Sequence, residues 1–264
     1  MSYSAKDHTF VVCAYGESPY LKDCLESISC QEAKTNVIIS TTTPNDYIQS
    51  LSKEFGVSLF VNEGEPSISA DWNRALSHVC TSLATIAHQD DVYLPMYTSS
   101  VIDFATPADK PLIIFTDYGE LRNGINEDEI RILKVKRRLL SPLRKKENWS
   151  SVRKRRRALS LGCSICCPSV TFNLDYLKQP IFDTNFKCDL DWQTWERLSV
   201  LEGSFVYCDR ILMRHRIHQG SETTALIKDD TRSKEDFEML KKFWPLPAAA
   251  LINSIYSLSQ ISNS

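Results

Sequence analysis

Residues 83–93 read LATIAHQDDVY: a short apolar run, a histidine, then two adjacent carboxylates. The apolar run suits a buried strand, and the polar turn after it marks the strand's end. Like charges side by side repel, so Asp90 and Asp91 need a reason to be neighbours. On these residues alone two readings stay open. One is a solvated turn, because Asp is common in turns. The other is a hard-cation site, because Mg²⁺ or Mn²⁺ is usually held by one or two carboxylates together with substrate phosphate oxygens.

Working outward, the same rhythm repeats on both sides. HTFVVCAY (8–15), NVIIS (36–40), VSLFVN (57–62), LATIAHQ (83–89) and PLIIFTDYGEL (111–121) read as strands. Between them, YLKDCLESISCQ (20–31) puts Leu21, Cys24, Leu25 and Ile28 on one helical stripe, and DYIQSLSKEFG (46–56) is a helix closed by Gly56. ADWNRALSHVCTS (70–82) and the proline-opened LPMYTSSVIDFA (94–105) are two more helices. Strands alternating with helices predict an α/β fold with a mostly parallel, Rossmann-like sheet flanked by helices. In such sheets ligands bind beyond the carboxyl ends of the strands. GES, TTTPND and HQDD all fall there, so they are expected to converge.

After residue 125 the pattern changes. GCSICCPSVTFN (162–173) reads as strand-rich, DLDWQTWERLSVLEG (189–203) as a helix, and SFVYCDRILMRHRIH (204–218) as a strand pair or a strand and loop. KEDFEMLKKFW (234–244) is helical, and the apolar tail PAAALINSIYSLSQ (247–260) is a helix that needs a surface to cover it. Cys163, Cys166 and Cys167 lack the partner pair that a four-ligand zinc site needs, so they read as buried thiols.

The 264 residues suit one large domain or two small ones, and the 42% hydrophobic and 24% charged content is ordinary for a globular protein. No apolar run is long enough to cross a bilayer and the N-terminus has no apolar signal region. With nine scattered cysteines, this predicts reduced thiols and a cytoplasmic location. The net charge of −2 hides an asymmetry: residues 134–157 hold twelve Lys or Arg and one Glu, which is +11 against −13 for the rest. A solvated helical face is one reading of this segment. Another is an anionic membrane surface, with Leu139, Leu140, Leu143 and Trp149 interspersed among the charges as in an interfacial helix. Nucleic acid ranks last, since no recognised motif is present and the remaining −13 opposes a polyanion.

FVVCAYGESPYLKDCLESI, NVIISTTTPND, SISADWNRAL and AHQDDVYLP occur in the order and spacing of the nucleotide-sugar half of family-two glycosyltransferases, and the chain resembles that family over roughly residues 8–225. In the second half, GCSICCPSV resembles the segment leading to the acceptor, DLDWQTWERL the helix bearing the catalytic base, and RIHQGSET a closing motif of many members. The resemblance implies a GT-A fold over residues 1–225, with a nucleotide-sugar half (1–125) and an acceptor half (126–225), followed by a C-terminal helical extension (226–264). It implies transfer, with inversion, of a sugar from a nucleotide diphosphate sugar to a hydroxyl of a glycan or polyprenyl-diphosphate-linked acceptor. Synthesis of a bacterial surface polysaccharide at the inner face of the membrane would fit.

By motif position, Asp90 looks like the ligand for Mn²⁺ or Mg²⁺, and His218 is a candidate to reach that metal. His88 stands where the family usually keeps another Asp. Ala14, Tyr15, Glu17, Thr42, Asn73 and Asp91 fall at positions that hold the nucleotide sugar. Asp191 looks like the general base, with Asp189 as the helix N-cap and Trp192 as a platform for the acceptor sugar. Thr41 and Thr42 replace an Asp pair that contacts the base in many members, so UDP is favoured without being fixed. Each residue has a plainer role open to it: strand-end packing for Tyr15, a helix-terminal charge for Glu17, helix-start packing for Asn73, core packing for Trp192 and His218. A degenerate member that binds nucleotide or glycan without turnover is the first alternative. A nucleotidyltransferase is disfavoured, because AYGESPY has no Lys or Arg near the first strand.

Overall fold

The computed structural model describes residues 2–218 and 231–261. β1 (His8–Ala14) lies between β2 (Asn36–Thr41) and β4 (Leu83–His88), parallel to both, and β2 is parallel to β3 (Ser58–Val61). β1 and β4 are buried along nearly their whole length, as strands covered on both faces must be. α1 (Leu21–Ser29) buries the predicted stripe of Leu21, Cys24, Leu25 and Ile28. α2 (Asp46–Phe55) starts where the Asn45 side chain accepts from the Ile48 N–H, and ends at Gly56 with φ +64°. That left-handed φ is the reason for glycine there. α3 (Ile68–Ser77) begins earlier than its apolar pattern suggests, because Ser67 caps it through the Ala70 N–H. α4 (Tyr97–Ala105) follows a two-residue strand, β5 (Val92–Tyr93).

The second half completes the sheet. β6 (Pro111–Arg122) pairs with the short β7 (Ile125–Glu127), and β8 (Val170–Asn173) wedges antiparallel between β4 and β6. β9 (Ser204–Ile217) is one long strand parallel to β6, and β5 closes the edge against it. The long ladders are parallel and the antiparallel ones short. Residues 204–218 read as interrupted because the register slips where Cys208 pairs with Thr116 and Ile211 with Asp117, leaving Asp209 and Arg210 in a bulge. Similarly, 162–173 contains strand only at its end. Cys167–Ser169 form a 3-10 turn, and all the cysteines are free thiols.

The basic segment is not one helix. α5 (Arg131–Leu140) gives way to two 3-10 turns, the first with Pro142 near its start, before α6 (Val152–Leu159). Leu140, Leu143 and Trp149 are buried, so they cannot form an outward apolar face. Arg155 is buried too, its guanidinium donating to the carbonyls of Leu201 (2.9 Å) and Gly203 (3.1 Å). α7 (Leu190–Ser199), α8 (Thr231–Lys241) and α9 (Leu246–Ile261) stand on the same side of the sheet as α6. Trp192, Trp195, Leu198, Met239, Leu240 and Ala249 share one core there. Among the described residues, no helix is long and apolar enough to cross a membrane.

Candidate active site

The carboxyl ends of β1, β2 and β4 open into a cavity of about 710 Å³, within the range typical of small-molecule sites. Ala14, Tyr15, Thr41, Asp71, Trp72, His88 and Asp90 line it from the first half of the chain. Lys136, Cys163, Asp191, Trp192, His215 and His218 line it from the second. The strand ends are tied together locally. Gln89 accepts from the Tyr15 N–H (2.9 Å) and donates to the Tyr15 carbonyl (3.1 Å). Thr43 accepts from the N–H of Gly16, whose φ is +58°.

The two carboxylates of QDD have separated roles. Asp91 is fully buried, and its Oδ1 accepts from the Arg216 N–H (2.9 Å) and pairs with His215 Nδ1 (3.0 Å). Asp90 faces the cavity, with its Oδ2 3.0 Å from His218 Nε2. The Arg216 side chain donates to the Asp90 carbonyl (2.8 Å) and the Asp23 carboxylate (3.0 Å). β9 thus grips the β4–β5 turn from the far end of the sequence. Burial works to lower the His215 pKa, but the adjacent Asp91 carboxylate outweighs it and raises it. His88, stacked on Trp72 at 5.1 Å, is pushed down by burial despite Asp91 and Asp90, so its imidazole is held neutral.

His88, Asp90 and Asp91 each bring a ligand atom within 4.8 Å of the others. Two buried polar atoms of this group, His88 Nε2 and Asp91 Oδ2, have no hydrogen-bond partner. Unpartnered buried acceptors are costly unless something binds them. A neutral imidazole with two carboxylates fits a hard or borderline divalent cation.

Asp191 begins α7. Its Oδ1 accepts from the Trp192 N–H (2.7 Å) and its Oδ2 from the Cys163 thiol (3.1 Å). Burial, then the Asp191 charge, pushes the Cys163 pKa well up, so the thiol stays a proton donor. Asp189 occupies the N-cap position without making a side-chain cap bond. Burial and the neighbouring Asp236 and Asp191 carboxylates raise its pKa well above the carboxylate range. Glu235 of α8 accepts from three successive N–H groups, those of Lys187 (2.8 Å), Cys188 (2.7 Å) and Asp189 (3.0 Å).

Not every expected residue reaches the cavity. Asn73 donates to the Phe182 carbonyl (2.8 Å) and accepts from the Ile181 and Phe182 N–H groups, which ties its amide to that backbone. Thr42 donates to Asp71 (3.2 Å), and Glu17 is exposed outside the lining. Trp192 touches the cavity but is buried, its indole N–H donating to the Leu159 carbonyl (2.9 Å). The later part of RIHQGSET, residues 219–223, lies outside the described residues. Sequence reading missed His215, Lys136, Asp71 and Glu235. Lys136 donates to Tyr118 Oη (2.9 Å) and makes no ion pair among the described residues, leaving a cation in the cavity wall. Its placement on α5, beside a fold change, gave no signal.

The cleft at the parallel strand ends thus brings together a cluster able to hold a cation and, from the second half of the chain, a separate carboxylate. The family model for glycosyl transferase family 2 matches residues 9–171, and the chain belongs to that family. No curated protein sequence matches it. Solved structures share its fold at low identity. A mannosyltransferase from Pyrobaculum calidifontis, in complex with GDP-Man and Mn²⁺, is 14% identical with a TM-score of 0.62, covering 97% of this chain and 70% of that one. TarS 1–349 from S. aureus, in complex with UDP-GlcNAc, is 12% identical with a TM-score of 0.64, covering 96% and 72%. Glucosyl-3-phosphoglycerate synthase from Mycobacterium tuberculosis, with Mn²⁺, UDP and glucosyl-3-phosphoglycerate, is 14% identical with a TM-score of 0.51, covering 81% and 73%. The fold is GT-A, and the chain is a glycosyltransferase by family.

Proposed function

We propose that the protein transfers a sugar, with inversion, from a nucleotide diphosphate sugar to a hydroxyl of a glycan or lipid-linked acceptor. UDP is the favoured nucleotide, and a bacterial surface polysaccharide the favoured product. The observation that carries this reading is that Asp90, beside His88, and Asp191 line one cleft. The solved relatives hold GDP-Man, UDP-GlcNAc or UDP, which supports a nucleotide-sugar donor here.

Ala14, Tyr15 and Thr41 border the donor end, and the Tyr15 ring is exposed to stack on a base. Asp90, with His88 and Asp91 beside it and His218 against its Oδ2, would hold Mn²⁺ or Mg²⁺. Such an ion offsets the charge of a leaving diphosphate. Asp191 acts as general base: it accepts the proton of the acceptor hydroxyl as the new C–O bond forms and the nucleoside diphosphate departs. The Cys163 thiol and Trp192 N–H fix its two oxygens in place. Burial and the carboxylates beside it raise the Asp189 pKa, so Asp189 stays protonated at neutral pH.

The test is release of nucleoside diphosphate from a panel of nucleotide sugars, with and without Mn²⁺. Metal-dependent turnover of one donor, abolished in Asp90→Ala, is expected. A chain that binds the donor and never turns it over, with or without acceptor extracts, would instead be the binding protein weighed above.

A further inference from the structure

A second cavity, of about 540 Å³, lies apart from the cleft and shares no lining residue with it. Its walls are Arg153, Lys154, Arg156 and Arg157 of α6, with Ser160, Phe243 and Trp244. Arg156 is already held, by Glu196 (2.5 Å), by the Lys242 carbonyl (2.8 Å) and over the Phe243 ring at 4.8 Å. Arg153, Lys154 and Arg157 form no ion pair among the described residues, so the cavity keeps a surplus of positive charge. The Trp244 indole donates to the Ser160 carbonyl (2.6 Å) while the residue stays 37% exposed.

Two residues beyond Trp244, α9 begins, and it contains no charged residue from Leu246 to Ile261. Its inner side packs through Ala249 and Ile252, yet Leu246 is 62% exposed and Leu251 65%. Over residues 246–252 the helix is apolar on its outer as well as its inner side, and an outer apolar side wants a second covering surface. Water supplies none, and a single-sign charge cluster beside it selects what can.

We infer that the α6–α9 face docks on an anionic lipid bilayer. Arg153, Lys154 and Arg157 meet headgroup phosphates, while Trp244 and Leu246 enter the interface between headgroups and acyl chains. A second copy of the chain, docked symmetrically, would bring these cations against each other. A nucleic acid would use the cations and leave the leucines in water. The inference does not rest on the transfer reaction. It also relocates lipid contact from an amphipathic helix over 134–157 to a composite face, because Leu140, Leu143 and Trp149 are spent in the core.

The experiment is co-sedimentation of the full chain with vesicles of phosphatidylcholine alone, or of phosphatidylcholine with phosphatidylglycerol. Binding to the second only is expected, weakening as NaCl rises from about 0.1 to 0.5 M. Each surface cation contributes enough that the double variant Arg153→Glu/Arg157→Glu should lose at least about tenfold in partitioning. Leu246→Ser should lose several-fold. Arg138→Glu/Lys145→Glu, which changes the net charge equally on a different exposed part of the segment, should bind like wild type. All variants are checked for an unchanged Tm. Equal loss in the control pair, equal binding to neutral vesicles, equally tight binding of a short RNA duplex, or a solution dimer that Leu246→Ser dissociates would each overturn the inference.

Discussion

The Glu235 carboxylate is the part of the site furthest from any motif, and its removal has a calculable effect. In Glu235→Ala, three N–H donors ahead of α7 lose a charged acceptor. Hydrogen bonds to charged groups contribute about 1.5–3 kcal/mol each, but three that share one carboxylate do not add fully. Lys187 is exposed, so water replaces that bond, whereas the Asp189 N–H is buried and stays unpaired. The expected loss is therefore about 3 kcal/mol, or roughly 6–12 °C in Tm for a chain of this size. Glu235→Gln should fall between, since one oxygen still accepts while its NH₂ faces an N–H. The exposed Glu238→Ala, which breaks only a surface pair with Lys241, should change stability by less than about 0.5 kcal/mol. Calorimetric melts provide the first readout. Because Asp191 lies two residues past this latch, the second readout is transfer at saturating donor, which should fall further than nucleotide affinity. If Glu235→Ala melts with the Glu238→Ala control, or loses donor binding and turnover in parallel, the latch has no role in holding Asp191, the proposed base.

Three further outcomes follow from the same geometry. Asp191→Asn should keep nucleotide affinity within about twofold and lower transfer by about 10²–10⁴-fold, the usual contribution of a general base, as measured by single-turnover kinetics. Asp189 has a raised pKa, facing Asp236 and Arg232 of α8 and Asp191 of α7. The folded chain therefore keeps a proton that the unfolded chain loses near pH 4, and stability falls as pH rises above that point. Asp189→Asn should flatten that fall, seen as a smaller Tm difference between about pH 5.5 and 8.5; an unchanged difference would count against the raised value. Arg155→Met leaves the buried Gly203 carbonyl unpaired, while water can reach that of the exposed Leu201, and should cost about 1–3 kcal/mol in urea denaturation. Arg153→Met, on an exposed position, should be silent.

The first half of the fold was legible because each element stands alone on local signals. The stripe of α1, the Gly56 stop of α2, and the apolar runs of β1 and β4 are all short-range patterns. The second half was harder because its elements are defined by long-range pairing. β8 is four residues long, and β9 hides its continuity behind a polar bulge. The same divide runs through the site. Asp90 and Asp191 sit in recognisable local patterns. His215, Lys136 and Glu235 gain meaning only from partners across the fold, and nothing in their own neighbourhoods distinguishes them from ordinary surface charges. Asn73 looks outward from its motif, yet its amide is taken by the backbone of Ile181 and Phe182, more than a hundred positions away.

The grip of β9 on Asp91 also orders events during synthesis. β1 to β4 and their helices are complete by residue 105, a compact local unit that can form as it leaves the ribosome. Asp91 gains its partners only when residues 215 and 216 arrive, 124 and 125 positions later, to supply the imidazole that pairs with its Oδ1 and the N–H that donates to it. Until that moment the Asp91 carboxylate lacks both of these partners. A nascent chain cut short before β9 would hold the strand ends that border the cleft with Asp91 still lacking its His215 and Arg216 partners, so one late closure completes this wall of the cavity.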